Sequence, residues 1–509
     1  MTKIRINLRR AVTLYPILFA FFPILALYSQ NMQELSITVI VIPLLLSLGL
    51  ALLFLLLSFL IFRNLDKAAI FASIIITLFF SFGHVVDVIG PKSGNLYING
   101  SLVGTVSRYL LLFWFLVFIS SIYPIARIHR NLKTLTAVLG AVAIFMVLVS
   151  LVVIIPYQIN RPNLALSSES FLAEIPLERI DKFPDVYYLV WDTFPSASTV
   201  ATYYDSGISQ LVDFLTERGF YIGNESHSNY GGSVQSLASS LNMQYLVDES
   251  GKEIVDARLQ IQLLQRSKVV QLFKYLGYKY VNIKADWPGT RGKGGNFADT
   301  SFYPPGLSGF SYLLTRTTII RAIPGISDML GLPSVLSPRV KYYKDTLYQL
   351  DKLSGIPNMV EGTREPVFVF AHIMIPHSPI VFDQDGEFAV SEANSVEDQK
   401  AQYMEQLVFC TKQIEKLVDD ILSRSREPPI IILQGDHGPK SNEDLYCFDS
   451  LDEKQRWEVN SGILNAYYVP DSCRSLLYPT ISPVNTFRLI FNCCFGTNYK
   501  LLGEGFNAE

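Results

Sequence analysis

Residues 428–440 read PPIIILQGDHGPK. A short apolar, β-branched run bounded by proline and glycine predicts a buried strand over Ile430–Gln434. A strand of this kind should close in an ordinary turn. This one closes in Gly435, Asp436, His437 and Gly438, an acid and an imidazole side by side. The flanking glycines are expected to permit a turn that aims both side chains one way.

Two other stretches repeat the pattern. Val186–Trp191 (VYYLVW) predicts a strand and is followed at once by Asp192. Pro366–Ile373 (PVFVFAHI) predicts another, carrying His372 and followed by His377 in the turn MIPHSP. The chain has 6 histidines, and His372, His377 and His437 all fall at these strand ends. Further strands are expected at Tyr280–Ile283 and in AYYVP at 466–470. Helical spacing marks Ile208–Arg218, Val269–Leu276 and 398–424, the last with Met404, Leu407, Val408, Leu417, Val418, Ile421 and Leu422 on one face. Strands alternating with helices predict a mostly parallel sheet covered on both faces. In such sheets ligands sit beyond the carboxyl ends of the strands, where these acids and imidazoles are delivered.

The first third has a different character. The 509-residue chain is 50% hydrophobic and only 17% charged, with a mean hydropathy of +0.28. Five apolar runs, near 11–29, 36–62, 68–89, 109–126 and 135–158, account for this. Each approaches the ~20 residues a helix needs to cross a bilayer. The first run lacks a small-x-small cleavage site and is read as an uncleaved anchor. Basic residues cluster before the first run (Lys3, Arg5, Arg9, Arg10), between the second and third (Arg63, Lys67) and between the fourth and fifth (Arg127, Arg130, Lys133). Basic loops stay cytoplasmic, so an odd number of spans places everything after about residue 158 outside. His84 and Asp87, near the end of the third run, are expected at the outer interface in water. A net charge of −3 gives no reason to expect nucleic acid as a partner.

Carboxylate and imidazole together suit a divalent ion, zinc or manganese more than magnesium or calcium. A nucleophile is available in SNYGGSVQSLASSLNM at 228–243, a Gly-rich loop running into an amphipathic helix. Ser233 stands at or near the helix start. It either caps the helix or presents its hydroxyl where free backbone N–H groups attract a phosphate.

DVYYLVWDTF, SNYGGSVQSLASSLNM, FVFAHIMIPHSP and IIILQGDHGP occur in this order at spacings that resemble the alkaline phosphatase/sulfatase superfamily. With the membrane anchor, the chain is similar to lipoteichoic acid synthases and lipid A phosphoethanolamine transferases. The resemblance implies a five-helix transmembrane domain over 1–158, a linker over 159–184 and an extracytoplasmic sulfatase-like α/β domain over 185–509. It implies one metal held by Asp192, Ser233, Asp436 and His437. Ser233 would be the nucleophile, and His377 would contact the phosphate or protonate the leaving group. His372 fits a place beside the substrate or behind the ligands.

Those relatives usually carry Glu at the position of Asp192 and Thr at that of Ser233; both replacements keep a carboxylate and a hydroxyl. The signature Cys-x-Pro-Ser-Arg is absent, which argues against a formylglycine-dependent sulfatase. The implied function is transfer of a phosphoethanolamine- or phosphoglycerol-type group from a membrane lipid to an envelope glycan or lipid, at a bacterial-type plasma membrane. A hydrolase on the same site is the alternative, and a non-catalytic scaffold is disfavoured because the ligand positions are filled.

The glycine- and aromatic-rich segment 285–311 suggests a lid, with Arg291 and Lys293 available to meet an anionic head group. Of 5 cysteines, Cys410 is expected to be a buried thiol. Cys447–Cys473 is a candidate disulfide, and adjacent Cys493 and Cys494 are not expected to bridge each other.

Overall fold

The computed structural model describes residues 14–32, 35–89, 102–128, 132–159, 183–204, 208–247, 251–285, 298–305, 309–322, 338–389, 393, 395–442 and 444–503. Residues 160–182 of the expected linker, Arg291 and Lys293 lie outside the described residues. The chain forms two compact units, Met1–Pro162 with Gly306–Ser337, and Asn163–Pro305 with Pro338–Glu509.

Among the described residues of the first unit, four helices are long and apolar enough to cross a membrane: Ile37–Phe62, Leu65–Ile89, Tyr109–Arg127 and Lys133–Ile159. The first apolar run forms a helix of 17 residues, Tyr15–Asn31, with Tyr15, Ala20, Ile24 and Tyr28 buried in the bundle. At ~1.5 Å per residue it is roughly 26 Å long, just under the ~30 Å hydrocarbon core. Exposed Ile42, Leu45, Leu46, Phe145 and Val152 leave the bundle apolar outside, as a lipid-facing surface requires.

One segment of this unit comes from far along the chain. Helix Gly309–Thr317 and the turn Ile319–Ala322 pack on the membrane helices. Phe310 is buried with Ile24, Leu25 and Tyr28. Arg321 Nη1 lies 2.6 Å from Asp87 Oδ1 and 3.2 Å from the Gly83 carbonyl oxygen. Gly83 allows the approach, since a Cβ there would stand 1.9 Å from the Arg316 carbonyl oxygen. Asp87 therefore has a cationic partner, which the sequence reading did not anticipate.

The second unit is built on a seven-stranded sheet. Its strands are β1 Val186–Trp191, β2 Tyr221–Ile222, β3 Lys279–Ile283, β4 Thr300–Phe302, β5 Val367–Ile373, β6 Ile430–Gly435 and β7 Asn465–Tyr468. The spatial order is β2-β7-β6-β1-β5-β3-β4. β1 runs parallel to β5 and β6, and β3 to β4 and β5, while β7 is antiparallel to β6 and β2. The mostly parallel expectation holds, with one reversed strand.

The three central strands are buried on both faces, which is why they read as unbroken apolar runs. Tyr187, Leu189 and Trp191 of β1 join one core, with Val369, Ala371, Leu407, Ile414 and Val418. Val186, Tyr188 and Val190 join the other, with Phe368, Phe370, Ile432 and the helix residues Leu237 and Leu241. Parity along each strand thus sends even-numbered residues toward the helix Ser233–Asn242.

Candidate metal and nucleophile site

The register brings the ends of the central strands level. Trp191 is opposite both Ile373 and Gly435, and Val190 is opposite His372. Asp192 and Asp436 therefore leave neighbouring strands at one height, about 4.8 Å apart in backbone. Both share parity with His372 on the face that carries the helix of Ser233. A shift of one residue in either strand would turn a carboxylate to the other core.

The side chains converge. His372 Nε2 lies 3.7 Å from Asp192 Oδ2 and 3.5 Å from Asp436 Oδ2. His437 Nε2 lies 3.9 Å from Asp192 Oδ1 and 3.8 Å from Asp436 Oδ2. Ser233 Oγ is 3.5 Å from His437 Nε2. Ser233 is the first residue of its helix; Gly232 is the N-cap and no side chain caps the end. The hydroxyl is thus turned to the cluster and does not cap the helix. All of these residues are buried.

Each ligand candidate is fixed from behind. Asp436 Oδ1 accepts from the backbone N–H of Thr193 at 3.0 Å and of His437 at 2.9 Å. Its Oδ2, like Asp192 Oδ1, is buried with no hydrogen-bond partner among the described residues. His437 Nδ1 donates to the Gly438 carbonyl oxygen at 2.8 Å. This leaves the Nε2 lone pair for the cluster, as in metal-bound histidines. The glycines act differently from the expectation. Neither Gly435 nor Gly438 has positive φ. A Cβ on Gly435 would lie 2.5 Å from the Phe194 carbonyl oxygen, and one on Gly438 2.0 Å from that of Val459. They are needed for backbone approach rather than for turn conformation.

Electrostatics point to a cation. Burial and the adjacent Asp436 carboxylate push Asp192 above the usual carboxylate range. Burial also disfavours the charge on Asp436, but His437, His372 and hydrogen bonds outweigh it and hold that carboxyl well below the usual range. Burial opposes a charge on His372, yet the Asp436 and Asp192 carboxylates raise its pKa. Two orphaned buried carboxylate oxygens beside two imidazoles fit a divalent ion. Ligand atoms about 2 Å from one ion stand roughly 3–3.5 Å apart, close to the separations here. Asp192, His372, Asp436 and His437, with the Ser233 hydroxyl, would hold it.

His377 stands on the loop after β5, with cis peptide bonds at Ile375–Pro376 and Ser378–Pro379. Its Nδ1 donates to the Ser378 carbonyl oxygen at 2.5 Å and lies 3.9 Å from Asp444 Oδ1. Burial lowers its pKa, but Asp192 and Asp444 outweigh that and raise it. Asp444 is buried and also accepts from the Ser378 N–H and the Ser441 hydroxyl. The sequence reading missed it, since no strand or glycine marks it. Lys440 was missed too, although it closes the opening PPIIILQGDHGPK. Its Nζ is 3.5 Å from the Gly231 carbonyl oxygen, in the loop leading to Ser233.

The expected Cys447–Cys473 pairing is corrected: Cys473 is bonded to Cys493, with Cα atoms 5.2 Å apart, and Cys447 is free. The helix Pro483–Phe495 brings Cys493 against the short helix Asp471–Arg474, a proximity that spacing along the chain does not reveal. Cys410 is a buried thiol, as expected.

A mostly parallel α/β sheet with carboxylates, imidazoles and a hydroxyl at its carboxyl edge defines a metal-dependent esterase or transferase class. The sulfatase family model matches residues 184–470. The chain belongs to the sulfatase family, and so to the alkaline phosphatase/sulfatase superfamily; it is an enzyme of the sulfatase-like phosphotransferase or hydrolase type. No curated protein matches it by sequence.

Solved structures similar to it include the C-terminal periplasmic domain of EptC from Escherichia coli, at 12% identity and TM-score 0.41, covering 62% of this chain and 83% of that one. Another is the soluble domain of lipooligosaccharide phosphoethanolamine transferase A from Neisseria meningitidis, at 10% identity and TM-score 0.38, covering 61% and 88%. A third is the lipoteichoic acid synthase LtaP from Listeria monocytogenes, at 12% identity and TM-score 0.39, covering 62% and 73%.

Proposed function

We propose that this chain is a membrane-anchored transferase that moves a phospho-substituent, of phosphoethanolamine or phosphoglycerol type, from a lipid donor to an envelope glycan or lipid. The observation that carries the reading is the placement of Ser233. Its hydroxyl is released from capping and set 3.5 Å from His437 Nε2, beside the orphaned oxygens of Asp192 and Asp436. The chemistry a divalent ion supplies there is a lowered pKa for the hydroxyl and neutralised charge on the phosphoryl oxygens. The mixed carboxylate and imidazole set favours zinc or manganese over magnesium or calcium.

Ser233 loses its proton to solvent, and Oγ bonds to phosphorus as the bond from phosphorus to the lipid alkoxide breaks. Protonated His377 gives its proton to that alkoxide. The acceptor hydroxyl then attacks phosphorus and passes its proton to His377, and Ser233 leaves and is reprotonated by solvent. Asp192 and Asp444 raise the pKa of His377, with Asp444 Oδ1 3.9 Å from its Nδ1.

Two further observations support the setting. Among the described residues, four helices are long and apolar enough to span a bilayer, and the basic residues fall in alternate loops. The Cys473–Cys493 disulfide fits an oxidising compartment outside the cytoplasm. Removal of a nucleophile costs enzymes of this kind about 10³-fold or more. Ser233→Ala should lose turnover on that scale, and intact-mass analysis after brief exposure to phospholipid should show a phospho-adduct on the wild type alone. Full turnover in Ser233→Ala would end the covalent mechanism.

A further inference from the structure

An exposed indole stacks on His227, just ahead of the nucleophile loop. Trp457 is 60% exposed, a large apolar area to leave in water. It is not loose. His227 stacks against it with ring centroids 5.0 Å apart and planes 16° from parallel. Ser461 donates its only proton to the Trp457 carbonyl oxygen at 2.7 Å. The 2.8 Å contact of Ser461 Oγ with His227 Nδ1 therefore has the imidazole as donor. Burial, opposed by Glu458 and Glu225, keeps His227 below the usual histidine range and hence neutral near pH 7.

The stack borders a groove of about 570 Å³, a size that holds small ligands. Its walls carry the Thr202 hydroxyl, the Asn224 amide and the carboxylates of Glu225 and Glu458, with no lysine or arginine among the lining residues. Among the described residues, the ionic partner of Glu458 is the solvent-exposed Lys454, at 3.7 Å. Such a groove repels phosphate and sulfate. A flat indole face beside hydroxyls, an amide and carboxylates suits a neutral sugar. The C–H face of the ring covers the aromatic surface, and its hydroxyls donate to the carboxylates.

The groove also adjoins the reaction. The Ser228 N–H donates to the Ser461 carbonyl oxygen at 2.7 Å, and the Gly438 N–H to that of Asn460 at 2.6 Å. Residues 457–462 are therefore bonded both to the nucleophile's loop and to the DHG turn. His227 and Ser233 are six residues apart, at most about 20 Å of extended chain, which a short oligosaccharide spans.

We propose that the groove at Trp457 and His227 is a subsite for an uncharged glycan, the acceptor end of the transfer reaction; this deepens the function proposed above and rests on it. Cellohexaose and chitopentaose are titrated into the full chain in a detergent without a sugar head group, following tryptophan fluorescence and heat. Ser233→Ala serves as the background, so that binding is read without turnover. One or both neutral sugars should bind, a sulfated oligosaccharide should not, and Trp457→Ala should weaken binding about tenfold or more while Trp457→Phe retains part of it. Circular dichroism checks that the variants are folded. No binding of either neutral sugar at millimolar concentration, equal binding by Trp457→Ala, or preference for the sulfated sugar would overturn the subsite. The phospho-Ser233 adduct is scored separately, so failure of the subsite and failure of the transferase reading are told apart.

Discussion

The backbone N–H of Thr193 donates to Asp436 Oδ1 at 3.0 Å from a residue held at φ 58°. A β-branched residue in the left-handed region is strained, and the hydroxyl of Thr193 is buried without a hydrogen-bond partner among the described residues. Both costs fall on the residue directly after Asp192. The strain is explained by what it positions: an amide that fixes one oxygen of Asp436 and leaves the other for the cluster.

Thr193→Gly should therefore stabilise the protein. Glycine removes roughly 1–2 kcal/mol of left-handed strain, offset in part by its greater freedom in the unfolded chain. The net gain expected in urea unfolding of the intact protein is of order 1 kcal/mol, with the amide retained. A loss of stability would show that the side chain, not the amide, matters there.

His377 sets the alkaline side of the activity profile. As the proton donor it works when protonated, so activity falls as pH rises through its pKa. Asp444 helps to raise that pKa. Asp444→Asn keeps an oxygen for the Ser378 N–H but removes the charge. The alkaline limb of kcat should then move to lower pH, with the acidic limb less affected. An unmoved limb would remove His377 from the acid role.

The segment 309–322 is held by close contact with the third long apolar run. Any side chain larger than hydrogen at Gly83 meets the Arg316 carbonyl oxygen. Gly83→Val should displace the segment and open Arg316 and Arg321 to trypsin in detergent, with a cost of about 1–3 kcal/mol from overpacking. Unchanged cleavage would mean that the packing around Phe310 holds without this contact.

How much of this was legible in the sequence follows from burial. β1, β5 and β6 are enclosed on both faces, so their apolar runs are unbroken and their ends announce Asp192, His372 and Asp436. β2 and β4 have 2 and 3 residues and are only partly buried, so no pattern marks them. Register is not written in any single strand, and it is register that sets Asp192 level with Asp436. Parity then places His372 on the same face as both carboxylates. Asp444, Lys440 and the Cys473–Cys493 bond depend on where loops fold back, which periodicity does not report. The lid expected over 285–311 overlaps the segment 309–322 only at its end, and the packing of that segment was not legible because its apolar partners, Ile24 and Tyr28, lie far earlier in the chain.

The most direct test of the account is the metal content of the intact protein beside that of Asp436→Ala. About one equivalent of a divalent ion is expected in the wild type, zinc or manganese by its donor set. Its loss is expected in the variant, which removes both the anchored and the orphaned oxygen of Asp436. No bound metal in the wild type even after zinc or manganese is supplied, or the same metal content in both proteins, would contradict the site.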